Sequence, residues 1–109
     1  MKLLSRSEEL LLLSIWRLKD NAYGVTIKHQ MESVTDKSWS FGALHVTLDR
    51  LERYGKVRSR FSNPEQKRGG RSKRLYTLTP EGIQDLVEIK QIEKKMWNGI
   101  DDLSFGESS

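Results

Sequence analysis

The chain has 109 residues, enough for one modest hydrophobic core and too few for two, and its 19 basic against 15 acidic residues leave a net charge of +4. It contains no cysteine, which excludes disulfides, thiolate catalysis and Cys-ligated zinc and points to an intracellular, cytoplasmic setting. With 31% charged and 36% hydrophobic residues, the composition is that of a folded globular chain and not of a disordered one.

The first apolar run is interrupted by Glu8 and Glu9 and is not followed by a small-residue cleavage site. Neither a signal peptide nor a membrane span is expected. Ser5 with Glu8 three positions later forms a capping box, which predicts a helix running to about Lys19. Leu10, Leu11, Leu12, Leu13, Ile15, Trp16 and Leu18 make that helix apolar around most of its circumference. Such a helix either lies at the centre of the domain or meets a second subunit, and the second is favoured. After the polar break Lys19-Asp20-Asn21, a shorter helix is expected from near Gly24 to Val34, with Val25, Ile27, Met31 and Val34 loosely periodic. Ser40 caps a third helix in which Phe41, Leu44, Leu48 and Leu51 recur at helical spacing, and Gly55 stands where a left-handed C-terminal cap belongs.

From Lys56 the period changes to two, with Val57, Ser59 and Phe61 on one side and Arg58, Arg60 and Ser62 on the other. A turn-rich insert from Asn63 to Ser72 leads to a second strand around Leu75, Tyr76, Thr77 and Leu78, so a hairpin with a long basic tip is predicted. Thr79 as N-cap and Pro80 at the first helical position open a final helix, whose Ile83, Leu86, Val87, Ile89, Ile92, Met96 and Trp97 carry apolar positions to about Asn98. The tail from Gly99 is expected to fray. No internal repeat is visible.

Charge is divided unevenly along this plan. Arg53 to Arg74 holds nine basic residues against the single acid Glu65, so a segment of +8 rides on a body of −4. That is the electrostatic footprint of a polyanion binder, above all of double-stranded DNA, where phosphate neutralisation drives association. If Leu44, Leu48 and Leu51 point inward, helical geometry puts positions 42, 43, 46, 49, 50 and 53 outward. Gly42, Ala43 and Val46 would then allow close approach and contact with thymine methyls, while Arg50 and Arg53 reach phosphates or guanine edges. Asp49 would repel phosphate unless paired with Arg50 or Arg53. His45 and Thr47 complete the helix candidates, and Ser40 serves both as cap and as part of an anion-binding helix N-terminus. Lys67, Arg68, Arg71, Lys73 and Arg74, interleaved with Gly and Ser, are the candidates on the hairpin.

Three helices, a hairpin and a further helix is the order of a winged helix-turn-helix domain with a C-terminal extension: a mainly α fold with a β-hairpin wing and a long C-terminal helix. The line from Trp39 to Val57, the line from Arg74 to Gly82, and Tyr23-Gly24-Val25 with Ile27 together resemble the PadR family of bacterial transcriptional regulators. The chain departs from that family's pattern at His45 and Val46, where Tyr and Pro are usual. The resemblance implies a DNA-binding domain over residues 1–79 and a dimerisation helix with its tail over 80–109, in a homodimeric repressor of the smaller subtype. It also implies a dimer surface, here Leu11, Ile15, Trp16, Ile89, Met96 and Trp97, which in some members admits a flat aromatic effector.

An alternative from another class is a protein-interaction module whose basic wing binds an acidic partner. RNA binding is disfavoured because the strands lack surface aromatics to stack unpaired bases. The sequence has no paired histidines, no glycine-rich phosphate loop after a strand and no nucleophile-like turn, so neither an enzyme, a metal nor a cofactor is expected.

Overall fold

The computed structural model describes residues 3–62 and 72–100. Along the chain run α1 (Arg6–Leu18), a single 3-10 turn (Lys19–Asn21), α2 (Gly24–Thr35), α3 (Phe41–Arg53), β1 (Val57–Phe61), β2 (Arg74–Leu78) and α4 (Pro80–Trp97). The expected helices and hairpin are all present, and their ends fall within a residue of those read from the caps. The hairpin tip with Lys67, Arg68 and Arg71, and the tail beyond residue 100, lie outside the described residues.

α1, α3 and α4 each start where a side chain satisfies an orphan amide. In α1 the Ser5 hydroxyl accepts from the Glu8 amide at 3.1 Å while the Glu8 carboxylate accepts from the Ser5 amide at 2.8 Å. In α3 the Ser40 hydroxyl accepts from the Ala43 amide at 3.0 Å, and α4 opens with Pro80 after the cap Thr79, whose hydroxyl accepts from the Gly82 amide at 3.1 Å. The chain leaves α3 through Gly55, whose φ of 77° is open to glycine at little cost. β1 and β2 pair antiparallel, with Val57 opposite Leu78 and Ser59 opposite Tyr76. The Tyr76 amide also donates to the Ala22 carbonyl at 2.9 Å, which ties the hairpin's base to the turn between α1 and α2.

The core is formed by Leu11, Leu12 and Ile15 from α1, Ile27 and Met31 from α2, Leu44, Leu48 and Leu51 from α3, and Ala22, Val57 and Tyr76 between them. Burial of each large side chain here contributes about 1.5–3 kcal/mol, so three crossing helices with one strand face suffice to close a domain of this size. One expectation needs correction. Leu11 and Ile15, assigned to a dimer surface, are only 1% and 2% exposed and are used up inside the domain, because the broad apolar face of α1 meets α2 and α3 on one side and α4 on another. Phe41, which shares the helical spacing of Leu44, Leu48 and Leu51, is 45% exposed, as are Val25 and Val34 of α2 in like degree or more, since these helices present to the core only a narrow stripe.

α4 is fixed at its first turn. The Thr79 hydroxyl donates to the Gly55 carbonyl at 2.6 Å, the Thr79 amide to the Lys56 carbonyl at 3.0 Å, and the Lys56 ammonium stands 2.7 Å from the Asp85 carboxylate. Gly82 is pressed so closely against the Lys56 backbone that a Cβ there would lie 2.2 Å from the Lys56 carbonyl oxygen. Beyond Asp85 no residue of α4 is buried, although Val87, Ile92, Met96 and Trp97 are large and apolar.

Candidate nucleic-acid interface

α3 is held in place from three sides. At its start, the turn from α2 is closed by Glu32, whose carboxylate accepts from Lys28 at 2.8 Å and from the Trp39 amide at 3.0 Å. The Lys28 contact and the Trp39 amide hold the Glu32 carboxyl below the ordinary glutamate range. In its second half, Arg50 turns back towards α1 and donates to the Glu8 carboxylate at 3.2 Å. Burial alone would raise the Glu8 pKa, but the Ser5 amide and the Arg50 guanidinium more than offset it and hold the carboxyl below its usual value. On the wing side, Arg74 of β2 donates to Glu52 at 2.8 Å and to the Ser59 hydroxyl at 3.1 Å, with Asp49 at 3.9 Å. The hairpin and the outward face of α3 therefore form one continuous surface.

The candidate residues separate into groups on this surface. Gly42, Ala43, Val46, Asp49 and Arg53 are exposed along α3, and a Cβ at Gly42 would meet nothing within 4 Å. Ser40 is exposed at the cap that starts the helix. His45 lies on the flank facing α2, stacked on Phe41 with ring centroids 6.5 Å apart. Thr47 is half-buried and donates its hydroxyl to the Ala43 carbonyl at 3.1 Å. Arg50 lies at the edge of the face beside α1, where its guanidinium donates to the capping carboxylate of Glu8. Arg74 braces the wing through Glu52, and Asp49 meets Arg74, not the expected Arg50 or Arg53. Lys73 is exposed with its ammonium 4.6 Å from the centre of the Tyr23 ring.

Three cations outside the expected site belong to its surroundings. Lys28 of α2 stands 5.4 Å over the Phe41 ring at the start of α3, yet in sequence it reads only as the partner of Glu32 four residues on. Arg58 and Arg60 are exposed on the strand face opposite Ser59, so β1 carries cations on the side that Arg74 does not. Their alternation with Val57 and Ser59 was the available signal.

The second feature is a groove of about 410 Å³ between α1 and α4, bounded by Leu13, Trp16, Leu78, Ile83, Leu86 and Val87, with Glu9, Lys90 and Glu93 at its rim. Trp16 stands 51% exposed beside it. Arg6 reaches Glu93 at 3.3 Å, so α1 and α4 run antiparallel and the last turn of α4 passes beyond the start of α1. Trp97 is ten residues past Val87, about 15 Å along the helix, and does not meet Trp16 within one chain.

A three-helix core that presents its third helix beside a basic hairpin is the winged helix-turn-helix of DNA-binding transcriptional regulators. The sequence pattern of the Transcriptional regulator PadR-like family matches residues 12–88, and the chain belongs to that family. A PadR family transcription regulator from hypervirulent Clostridium difficile R20291 is 31% identical over 85% of this chain and 92% of its own, with a TM-score of 0.61. A PadR-like transcription factor from Bacteroides fragilis shares the fold at a TM-score of 0.71 and 20% identity, over 90% of this chain and 89% of its own. RosR of H. salinarum does so at 0.69 and 22%, over 88% and 79%. No curated protein matches the chain by sequence. No described helix is long and apolar enough to cross a membrane.

Proposed function

We propose that the chain is a homodimeric repressor that binds a near-palindromic operator and acts in the cytoplasm by occluding a promoter. The observation that carries this reading is the bracing of β2 against α3 by Arg74, Glu52 and Ser59, which makes helix and wing a single surface for duplex. In the bound state α3 enters the major groove with Gly42, Ala43 and Val46 against base edges, and Ser40, His45 and Arg53 lie near backbone phosphates. Lys73 and the wing-tip residues Lys67, Arg68 and Arg71 follow the backbone. Arg50 and Thr47 are better suited to holding the helix than to touching DNA.

Residues 1–79 serve as the DNA-binding unit and 80–109 as the dimerisation unit. The unpaired apolar positions of α4, with Met96 at 71% exposure, together with the groove beside Trp16, support dimerisation through this side. In the dimer, Trp97 of a second copy fills the groove that Trp97 of the same chain cannot reach. Ile89, half-buried, and Met96 pack beside it. The groove's size and its half-open tryptophan favour a second reading, in which a flat aromatic effector takes part of this space.

Footprinting on fragments selected from a random duplex library, alongside mass measurement in solution, tests the proposal. A dimer should protect two half-sites related by two-fold symmetry, with centres about 34–36 Å apart. Protection without symmetry would overturn the dimeric reading, and capture of an acidic protein that duplex DNA does not displace would favour an interaction module instead.

A further inference from the structure

We infer that the recognition helix selects thymine through its 5-methyl group, with Val46 as the specificity-determining side chain, and discriminates against guanine. The inference rests on the proposed DNA-binding role of α3 and names what that face reads. Guanine is commonly read by an arginine that donates to its two major-groove acceptors. The arginine nearest the middle of α3, Arg50, is drawn to Glu8 at 3.2 Å, a carboxylate that also caps α1. Arg53 lies seven residues beyond Val46, about 10 Å along the axis, where phosphate is the nearer target.

What remains at the centre is apolar or acidic. Val46 is 61% exposed, and helical geometry puts it directly opposite Leu44, Leu48 and Leu51. One turn earlier Gly42 leaves open space around its Cα, so the backbone can come close to a base edge. One turn later Asp49, 56% exposed at its side chain and 3.9 Å from the Arg74 guanidinium that Glu52 also holds, presents a carboxylate, which repels the O6 and N7 acceptors of guanine and accepts from the exocyclic amine of adenine or cytosine. A methyl-bearing pyrimidine opposite adenine suits this stripe: the methyl covers Val46, and the adenine amine is compatible with Asp49. Exposed cations, Arg53 at the end of α3 and Lys73 on the wing, flank the apolar patch. That charge pattern fits a duplex groove bordered by phosphates better than it fits another apolar protein surface.

The test uses the full chain and a duplex obtained by selection, with each thymine replaced in turn by deoxyuridine, which removes one methyl and keeps the base pair. At one or two positions per half-site, affinity should fall about fourfold per methyl removed. Val46→Ala, which a helix tolerates well, should abolish the thymine-to-uridine difference at that position while thermal unfolding stays near the parent's. Replacing guanines by 7-deazaguanine should change affinity less than twofold. Uniform indifference to uridine, full discrimination retained by Val46→Ala, or a larger effect of 7-deazaguanine than of uridine would overturn the inference while leaving DNA binding intact. Failure to select any duplex would instead sink the proposed function, and this inference with it.

Discussion

Glu8 serves two structures with one carboxylate: it closes the capping box of α1 and anchors Arg50 of α3 across 42 positions of sequence. Because its pKa is lowered in the folded chain, its contribution is present above the unfolded value near 4.5 and is lost as the pH falls through the folded value. Glu8→Gln separates the two functions, since glutamine can still accept from the Ser5 amide but carries no charge for Arg50. The variant should be less stable than the parent by about 1 kcal/mol at pH 7, and the gap should close below about pH 4.5. Urea unfolding at a series of pH values checks this; a gap independent of pH would mean that the ion pair contributes nothing. In DNA binding the same variant frees Arg50, so tighter non-specific binding is its expected companion.

The helices and hairpin are joined at points where backbone meets backbone. Gly82 is the tightest of these, and an added methyl has the Lys56 carbonyl in its way, an atom that cannot swing aside as a side-chain tip would. Gly82→Ala should therefore cost about 1–3 kcal/mol by overpacking and lower the melting temperature by several degrees. Gly42→Ala, also in the first turns of a helix but with open space around it, should raise the melting temperature slightly through helix propensity. Calorimetry on the two variants tests the assignment, and equal effects would contradict it. The junction also links function to architecture, because Gly55, Lys56 and Thr79 lie between the end of α3 and the start of α4.

Along the whole sequence a basic segment is set in an acidic remainder, with +8 between Arg53 and Arg74 against −4 elsewhere. Part of that positive charge is spent internally: Lys56 meets Asp85, and Arg74 meets Glu52. With about four phosphate contacts per subunit in a dimer, log affinity against log salt should fall with a slope near −7. Titrations between low and physiological salt would measure it, and a slope shallower than about −2 would mean that the wing is not engaged. The apolar side of α4 faces the opposite problem. A long helix buried only at Gly82 and Asp85 leaves Val87, Ile92, Met96 and Trp97 exposed among the described residues.

Local chemistry was enough to read the element order. Ser5 with Glu8, Ser40, Gly55 and Thr79-Pro80 act on amides and torsions within a few positions of themselves, so their meaning survives without tertiary context. The spacing of Leu44, Leu48 and Leu51 likewise gave the inward face of α3, and the charge concentration of Arg53 to Arg74 marked the hairpin as the basic element. The partners of the charges were not legible, because an arginine on the edge of a helical face looks the same in sequence whether it meets phosphate or a carboxylate from a distant helix. Folding sent Arg50 to Glu8, Arg74 to Glu52 and Lys56 to Asp85, and it buried Leu11 and Ile15 while leaving Trp16 open. Periodicity and capping are properties of neighbours along the chain; which ion finds which, and which apolar side is left over, depends on how the helices cross, and only the assembled fold decides that.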